Sequence, residues 1–459
     1  MKNLTITVIG GGSVNWMKTL MQDVYLLDEV GGGQIRLVDP NTEHVKAVAD
    51  MLRAFNRMRG KDYEIIVADD RRAALTGADF VMTTFSPGAM DAFWNDLEIP
   101  VKYGIRQPVS MTVGPCGISA ALRVVPVVTE IVEEMEQVCP DAWLLNVTNP
   151  MSVVTRAMNL AARRVKVVGM CHEFHAMASL IGPMLGLPPR NGAGCLDYLY
   201  RILPEMGLDY TVAGLNHFIW LTEVSLRGED MLPRIREYCR DHWEFPPQDG
   251  KEIKPYTNRH AVKFALCRQF GALPLPGDRH LVEFWPSLCN VRNGYGMKYN
   301  VMKTTVDKRR LLKVGQLEEI RAIAAGKLEV KWEKTAEEMV DIMAAIVGGR
   351  STPCIVNMPN RGQIANLPMD IAVETLATIS PDGIVPKPSG RLPGAVASLC
   401  RLHADVHELT VQAALSGDRA QLVEALGLDP LSGGADFTEI PALAEELLNA
   451  NREWLPRFF

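Results

Sequence analysis

The sequence lacks most of what would take it out of the soluble, reducing class. Its nine cysteines are odd in number and scattered without paired spacing. That pattern reads as reduced thiols rather than a disulfide framework. No signal-peptide pattern precedes the first strand pattern at Leu4. The apolar runs are short and interrupted by charge, so no bilayer-spanning segment is expected. A basic surplus is missing too: the formal net charge is −6, which argues against a nucleic-acid binder. Internal repeats and low-complexity stretches are absent. These absences predict a cytoplasmic protein with neither membrane nor nucleic acid among its partners.

What remains is 459 residues, too many for one ordinary core. The expected division is 1–170 and 171–459. The first part alternates strand and helix patterns, which means parallel βαβ units. Leu4 to Ile9 is a strand by composition and runs into Gly10-Gly11-Gly12-Ser13 and a helical pattern. Glycines there let the backbone approach a pyrophosphate at a helix start. The run reads G-x-G-x-x-N, so the third fingerprint glycine is missing and a plain β-turn stays open. Ile35 to Val38 is a second strand ending in Asp39, spaced to bond the ribose hydroxyls of a dinucleotide. An acid there disfavours a 2′-phosphate, so NAD is expected over NADP. Further strands over 63–67, 80–85 and 143–147 end at turns carrying Gly88 and Asn149. Both could line a nicotinamide site, and both are ordinary turn residues as well. Ile118 to Val138 reads as a long amphipathic helix. The loop Val109 to Gly117 before it could cover a cofactor or merely cap the helix.

Val167-Val168-Gly169-Met170-Cys171-His172-Glu173 is the central stretch. A buried strand ends at a thiol, an imidazole and a carboxylate, at the rim where open α/β sheets bind ligands. Tyr210 to Trp220 reads as two strand pieces around a turn carrying His217. A lone histidine in such a run is an ordinary structural residue. With Cys171 it becomes a second soft ligand for a divalent ion. The Pro/Gly turn before Asp278-Arg279-His280 displays an acid and two bases at a helix start, where Asp278 could also be a simple N-cap. The pairs Cys239/His242 and His172/His175 are weaker metal signals. Residues 311–348 read as helix broken at Gly326, and 357–363 as a polar turn.

Taken together, these motifs resemble glycoside hydrolase family 4 over nearly the whole chain: Gly10 to Ser13 with Asp39, Thr148-Asn149-Pro150, Cys171-His172-Glu173, Asn216-His217, Gly277 to His280, and Asn357-Met358-Pro359-Asn360. The residues after the cysteine are similar to those of the α-galacturonidase and α-glucuronidase branch. The resemblance implies a Rossmann-like, doubly wound parallel sheet followed by an α+β substrate and metal domain, as in lactate and malate dehydrogenases. It implies NAD and a divalent metal, usually Mn²⁺. It also implies hydrolysis outside the two-carboxylate scheme: oxidation at sugar C3, removal of the C2 proton, β-elimination of the leaving group, water addition, and re-reduction. Cys171 and His217 match the family's metal ligands. His172 matches its proton donor to the leaving oxygen, and Asn149 a sugar-binding amide. Asp278 is the expected C2 base, with His280 close enough to compete.

The resemblance is incomplete. Met111 stands where relatives often carry an acid, and Cys116 where glycine is common, so the surroundings of the metal differ. A uronate calls for an arginine fork, for which Arg279, Arg292 and Arg361 are candidates. The expected activity is therefore an α-galacturonidase. An α-glucuronidase, an α-glucosidase or an α-galactosidase of the same family is the alternative. A 2-hydroxy-acid dehydrogenase of similar fold, needing no metal, and a non-catalytic NAD sensor are the others. A homodimer or homotetramer is usual for the family.

Overall fold

The computed structural model describes residues 2–190, 192–243 and 260–459. Among the described residues the strands form one 13-stranded sheet. Six strands come from the first part: β1 Lys2–Ile9, β2 Val30–Val38, β3 Asp62–Val67, β4 Phe80–Thr83, β5 Trp143–Asn146 and β6 Lys166–Gly169. They pair in parallel in the order β3-β2-β1-β4-β5-β6. This is the doubly wound order of a dinucleotide-binding fold. Every residue of β4 and β5 is buried, as expected of central parallel strands covered on both faces. One face packs Ile6, Val8 and Leu37 under the helix Thr42–Arg59, and the other packs Ile9, Val81 and Leu144 under the helix Gly114–Val138.

The second part adds β7 Leu208–Leu215, β8 Phe218–Leu226, β9 Glu229–Asp230, β10 Leu273–Pro274, β11 Thr352–Pro359, β12 Ala372–Ser380 and β13 Gly383–Pro386. These continue the same sheet in antiparallel pairing, in the order β10-β8-β7-β12-β11 onto β6. The sheet therefore runs across the division expected at 170, through the pairing of Asn357 with Gly169. Asn357 to Pro359 accordingly close a strand and do not form the expected turn, which comes next, at Asn360.

Two other expectations need correction. The helix Gly114–Val138 is long and apolar enough to cross a membrane by length and composition, contrary to the reading of short, broken runs. Its most apolar window is 72% buried inside the protein, against β4, β5 and the helix Gly394–Ser416. The second correction concerns the helical stretch from 311. It begins earlier, at Val306, where Thr305 accepts from the Lys308 amide, and it ends at Ala324. A non-helical stretch then runs to the helix Met339–Gly348. Sequence periodicity carried across that gap because apolar residues continue through it.

His403 and His407 lie buried one turn apart on the helix Gly394–Ser416. Burial pushes His403 down to about 4 and His407 down to about 3. The unfolded chain, near the ordinary value of about 6.5, binds protons that the folded chain refuses. Their stabilising effect is thus present at neutral pH and is lost as the pH falls from about 6.5 towards the folded values. Between pH 7 and pH 5 the two together should cost on the order of 3 kcal/mol. Urea midpoints at pH 5, 6 and 7 measure this, and His403→Leu should remove roughly half of the slope. An unchanged slope in that variant would show that His403 takes no part.

Candidate active site

The C-terminal ends of β1, β4, β5 and β6 form one rim, and the β7–β8 turn faces it from the antiparallel half. At the β1 end, Gly10 has φ +89°, and a Cβ there would lie 2.2 Å from the Thr84 carbonyl oxygen. A Cβ on Gly12 would lie 2.9 Å from the Asp39 carboxyl carbon. Both positions need glycine for close approach. Asp39 accepts from the Gly12 amide at 2.9 Å and from the Asn41 amide at 2.8 Å. The second strand's acid is thereby locked beneath the glycine turn. Ser13 meets this cradle through the Thr84 hydroxyl at 3.3 Å. Gly88, also expected here, starts the helix Ala89–Glu98 and backs onto Trp454. Asn149 is half-buried at the β5 end, and its side-chain oxygen accepts from the Met151 amide at 3.3 Å.

At the β6 end the chain turns through Cys171, His172 and Glu173. Glu173 organises the groups around it. It accepts from the Gly277 amide at 2.7 Å and pairs with His280 Nε2 at 3.4 Å. Burial alone would raise its carboxyl. His280, chiefly, and the Gly277 amide outweigh that and hold it well below the usual range, so it is ionised. The His280 ring stacks on His217 with centroids 3.8 Å apart. His217 sits in the tight β7–β8 turn at φ +60°. Thr112 Oγ1 meets its Nδ1 at 2.6 Å, which leaves Nε2 for a ligand. Burial, with His280 alongside, holds His217 well below the ordinary imidazole value, so it is neutral. The loop Val109–Gly117 thus does more than cap a helix: it orients this imidazole.

The Cys171 thiol faces the Asn216 side chain, one residue before His217. Burial, then Glu374 and Glu173, push the thiol well up, so without a cation it keeps its proton. His172 is the exposed member, its ring tilted at 46° to Trp16 with centroids 5.8 Å apart. Its Nδ1 lies 3.2 Å from Glu337, and that pairing raises its pKa. Among the described residues no group of three or more His, Cys, Asp or Glu could hold a metal. The chain offers a thiol and a neutral imidazole, and further donors would have to come from water or a ligand.

The sequence model described as Family 4 glycosyl hydrolase matches residues 5–187, and that of the family's C-terminal domain matches 212–432. Together they span most of the chain. It belongs to glycoside hydrolase family 4. An α-galacturonidase of Lachnoclostridium phytofermentans is 32% identical, over 99% of this chain and 97% of its own length. An α-galactosidase of Bacillus subtilis is 28% identical over 99% of both chains. Among solved structures, a Bacillus subtilis protein named as a glucosidase, lplD, superposes with a TM-score of 0.86 at 30% identity, covering 98% of this chain and 100% of the other. A 6-phospho-α-glucosidase from gut microorganisms, solved in complex with NAD and Mn²⁺, has a TM-score of 0.81 at 21% identity and covers 100% of both chains.

In this family 4 glycosidase the remaining expected residues spread out. Asp278 is buried, and its oxygens accept from the Val262 amide at 3.1 Å and the Lys263 amide at 3.0 Å. It therefore caps the helix Ala261–Phe270 from outside rather than its own helix start. Arg279 bonds the Thr304 hydroxyl. Arg361 pairs with Asp370 on the surface, and Arg292 is exposed. Cys239 is buried beside Cys267, whereas His242 lies outside, stacked on Tyr238. His175 turns away from His172 to Glu338 at 3.6 Å.

Sequence reasoning missed Thr112, Glu337 and Glu374. Thr112 lies in a loop whose glycines stand out but assign it no role. Glu337 and Glu374 come from ordinary helix-start and strand contexts far along the chain, and no local pattern marks them. Glu374 is fully buried on β12, and burial raises it to about 8. The neutral acid is then the main form at pH 7.

The cap at Asp278 has a measurable consequence. Lys263 is buried next to it, donates to the Leu275 carbonyl at 2.7 Å, and is pushed down to about 8 by burial. Asp278→Ala leaves two helix-start amides and a buried amine without their carboxylate. The expected cost is about 3 kcal/mol by chemical denaturation. Unchanged stability with lost activity would give this carboxylate a chemical role instead of a capping one.

Proposed function

We propose that this glycosidase is an α-galacturonidase that works with NAD and a divalent metal such as Mn²⁺. The observation that carries the mechanism is one cluster: Cys171, His217, His280 and ionised Glu173 meet on the rim beside the glycine cradle. The substrate reading draws on the named α-galacturonidases, 32% identical over nearly full length, against 28% for the α-galactosidase. The NAD reading draws on the cradle, a tight Gly10–Gly12 turn that packs directly on Thr84 and Asp39 at the strand-to-helix step where a dinucleotide's pyrophosphate binds. The metal reading draws on a thiol and a neutral imidazole that leave coordination places for sugar oxygens.

When bound, NAD would supply hydride transfer at C3, and the metal would supply Lewis acidity at the resulting carbonyl, so that the C2 proton becomes removable. The chain's own residues do the rest. Cys171 and His217 would hold the metal, with Thr112 fixing the imidazole. His280 removes the C2 proton, oriented by Glu173; this role falls to it rather than to Asp278, whose oxygens are taken by backbone amides. His172, held by Glu337, donates a proton to the leaving oxygen. Asn149 binds a sugar hydroxyl, and Arg279 is the nearest candidate to meet the uronate carboxylate.

With NAD, Mn²⁺ and a thiol reductant, 4-nitrophenyl α-galacturonide should release nitrophenol, and chelation should stop it. Release from the α-glucuronide or a neutral α-glycoside, with none from the galacturonide, would transfer the assignment to that sugar. Turnover in D₂O should place deuterium at C2. His280→Gln should lose at least about 100-fold in rate together with that exchange. Exchange that persists in His280→Gln and vanishes in a folded Asp278→Asn would return the base role to Asp278.

A further inference from the structure

A polar row crosses the sheet at the level of the site. Register aligns Thr83 of β4 with Asn146 of β5, Asn146 with Gly169 of β6, Gly169 with Asn357 of β11, Asn357 with Glu374 of β12, and Glu374 with Gly214 of β7. Side chains in a row of this kind point to one face and touch across strands. Glu374 is the hub of its second half. One carboxyl oxygen, Oε1, accepts from Asn357 Nδ2 at 2.8 Å and from Asn216 Nδ2 at 3.1 Å. All three residues are buried, at 1% exposure or less. Gly169 makes room for the arrangement: a Cβ there would lie 2.9 Å from the Asn357 Cβ.

Asn216 stands between the two proposed metal ligands. Its carboxamide faces the Cys171 sulfur, and the next residue is His217. Its backbone amide donates to Ser152 Oγ at 3.3 Å, so main chain and side chain are both anchored. The Asn216 and Asn357 side-chain oxygens and Glu374 Oε2 are buried with no hydrogen-bond partner. A packed interior retains three such atoms at a cost of about 1–3 kcal/mol each only where something offsets them. Apolar residues on these strands would avoid the cost.

We propose that Glu374 is a positioning residue for the metal: by gripping Asn216 it fixes the direction from which the Cys171 thiol and the His217 imidazole address one cation. Such residues behind the ligands change metal affinity by about 10–100-fold when removed. The inference rests on the metal reading above and can fail separately from it.

The test is Mn²⁺ binding to the full-length protein, followed by loss of the free aqueous Mn²⁺ signal in electron paramagnetic resonance. Absence of binding by the wild type would sink the metal reading itself. Given binding, Glu374→Ala should weaken affinity by about 10–100-fold. Glu374→Gln keeps an acceptor oxygen for both carboxamides and should bind close to the wild type. If Glu374→Ala fails to fold, Glu374→Asp serves, because its carboxylate is one methylene short of both partners; it should weaken binding in the same sense. A folded Ala or Asp variant that binds Mn²⁺ as tightly as the wild type overturns the proposal. So does a Gln variant as weak as the Ala variant, since the acceptor oxygen would then be irrelevant.

Discussion

The architecture depends on one antiparallel contact, Asn357 against Gly169. To one side lies a parallel sheet whose strand ends carry the glycine cradle and Cys171. To the other lies an antiparallel sheet whose β7–β8 turn carries His217. A parallel sheet by itself displays groups along one line of loops. Joining a second sheet edge to edge puts a turn from the antiparallel half over that line. A thiol and an imidazole 46 residues apart in sequence are thereby brought to one rim. Gly169 is the residue that permits the join. A side chain there would meet Thr155 Oγ1 at 2.5 Å, the Met151 sulfur at 2.8 Å and Asn357 Cβ at 2.9 Å.

Charge inside that joint is distributed by burial. Glu173 faces two imidazoles and an amide, and stays ionised despite its burial. Glu374 is hydrogen-bonded by two carboxamides, and burial, with Glu338 and Glu173 nearby, drives it towards the neutral acid. Two carboxyl groups within reach of one thiol therefore carry different charges, set by their partners. If both were ionised, they would oppose the thiolate that a soft cation requires. If both were neutral, His280 would lose the anion that orients it. The different partners of the two carboxyls reconcile these demands without a third charged group.

The parallel half was legible because its signals are local. Strand composition, the Gly10–Gly12 turn and Asp39 all lie within about one βαβ unit, where periodicity and turn chemistry carry the information. The antiparallel half was legible only as loose pieces. β11 and β12 pair with β6 and β7 across more than 150 residues, and no local pattern encodes a partner so distant. The same limit governed the site. Cys171 stood out at a strand-end turn, and His217, ordinary by itself, gained meaning only as a second soft ligand beside it. Glu374 and Glu337 did not stand out, because a glutamate in a strand or before a helix is ordinary until its neighbours are known. Asp278 shows a different limit. An acid after a Pro/Gly turn suggests chemistry, but its oxygens serve the start of a different helix, whose first residue lies 17 positions earlier.

The arrangement also bears on whether simple hydride transfer would suffice. A dehydrogenase acting on a hydroxy acid needs a cofactor cradle, one acid–base group and a carboxylate anchor. This rim carries those and more. A desolvated neutral imidazole braced by Thr112 and a row of buried amides with unpaired oxygens each cost stability, and a thiol held protonated stands beside them. None of them helps a hydride to move. Each becomes useful if a cation must be gripped while a proton is taken from an adjacent carbon and another is given to a departing oxygen. That many costly polar groups is what the proposed reaction, bond breaking next to an oxidised carbon, would require, and membership of a glycosidase family accords with it.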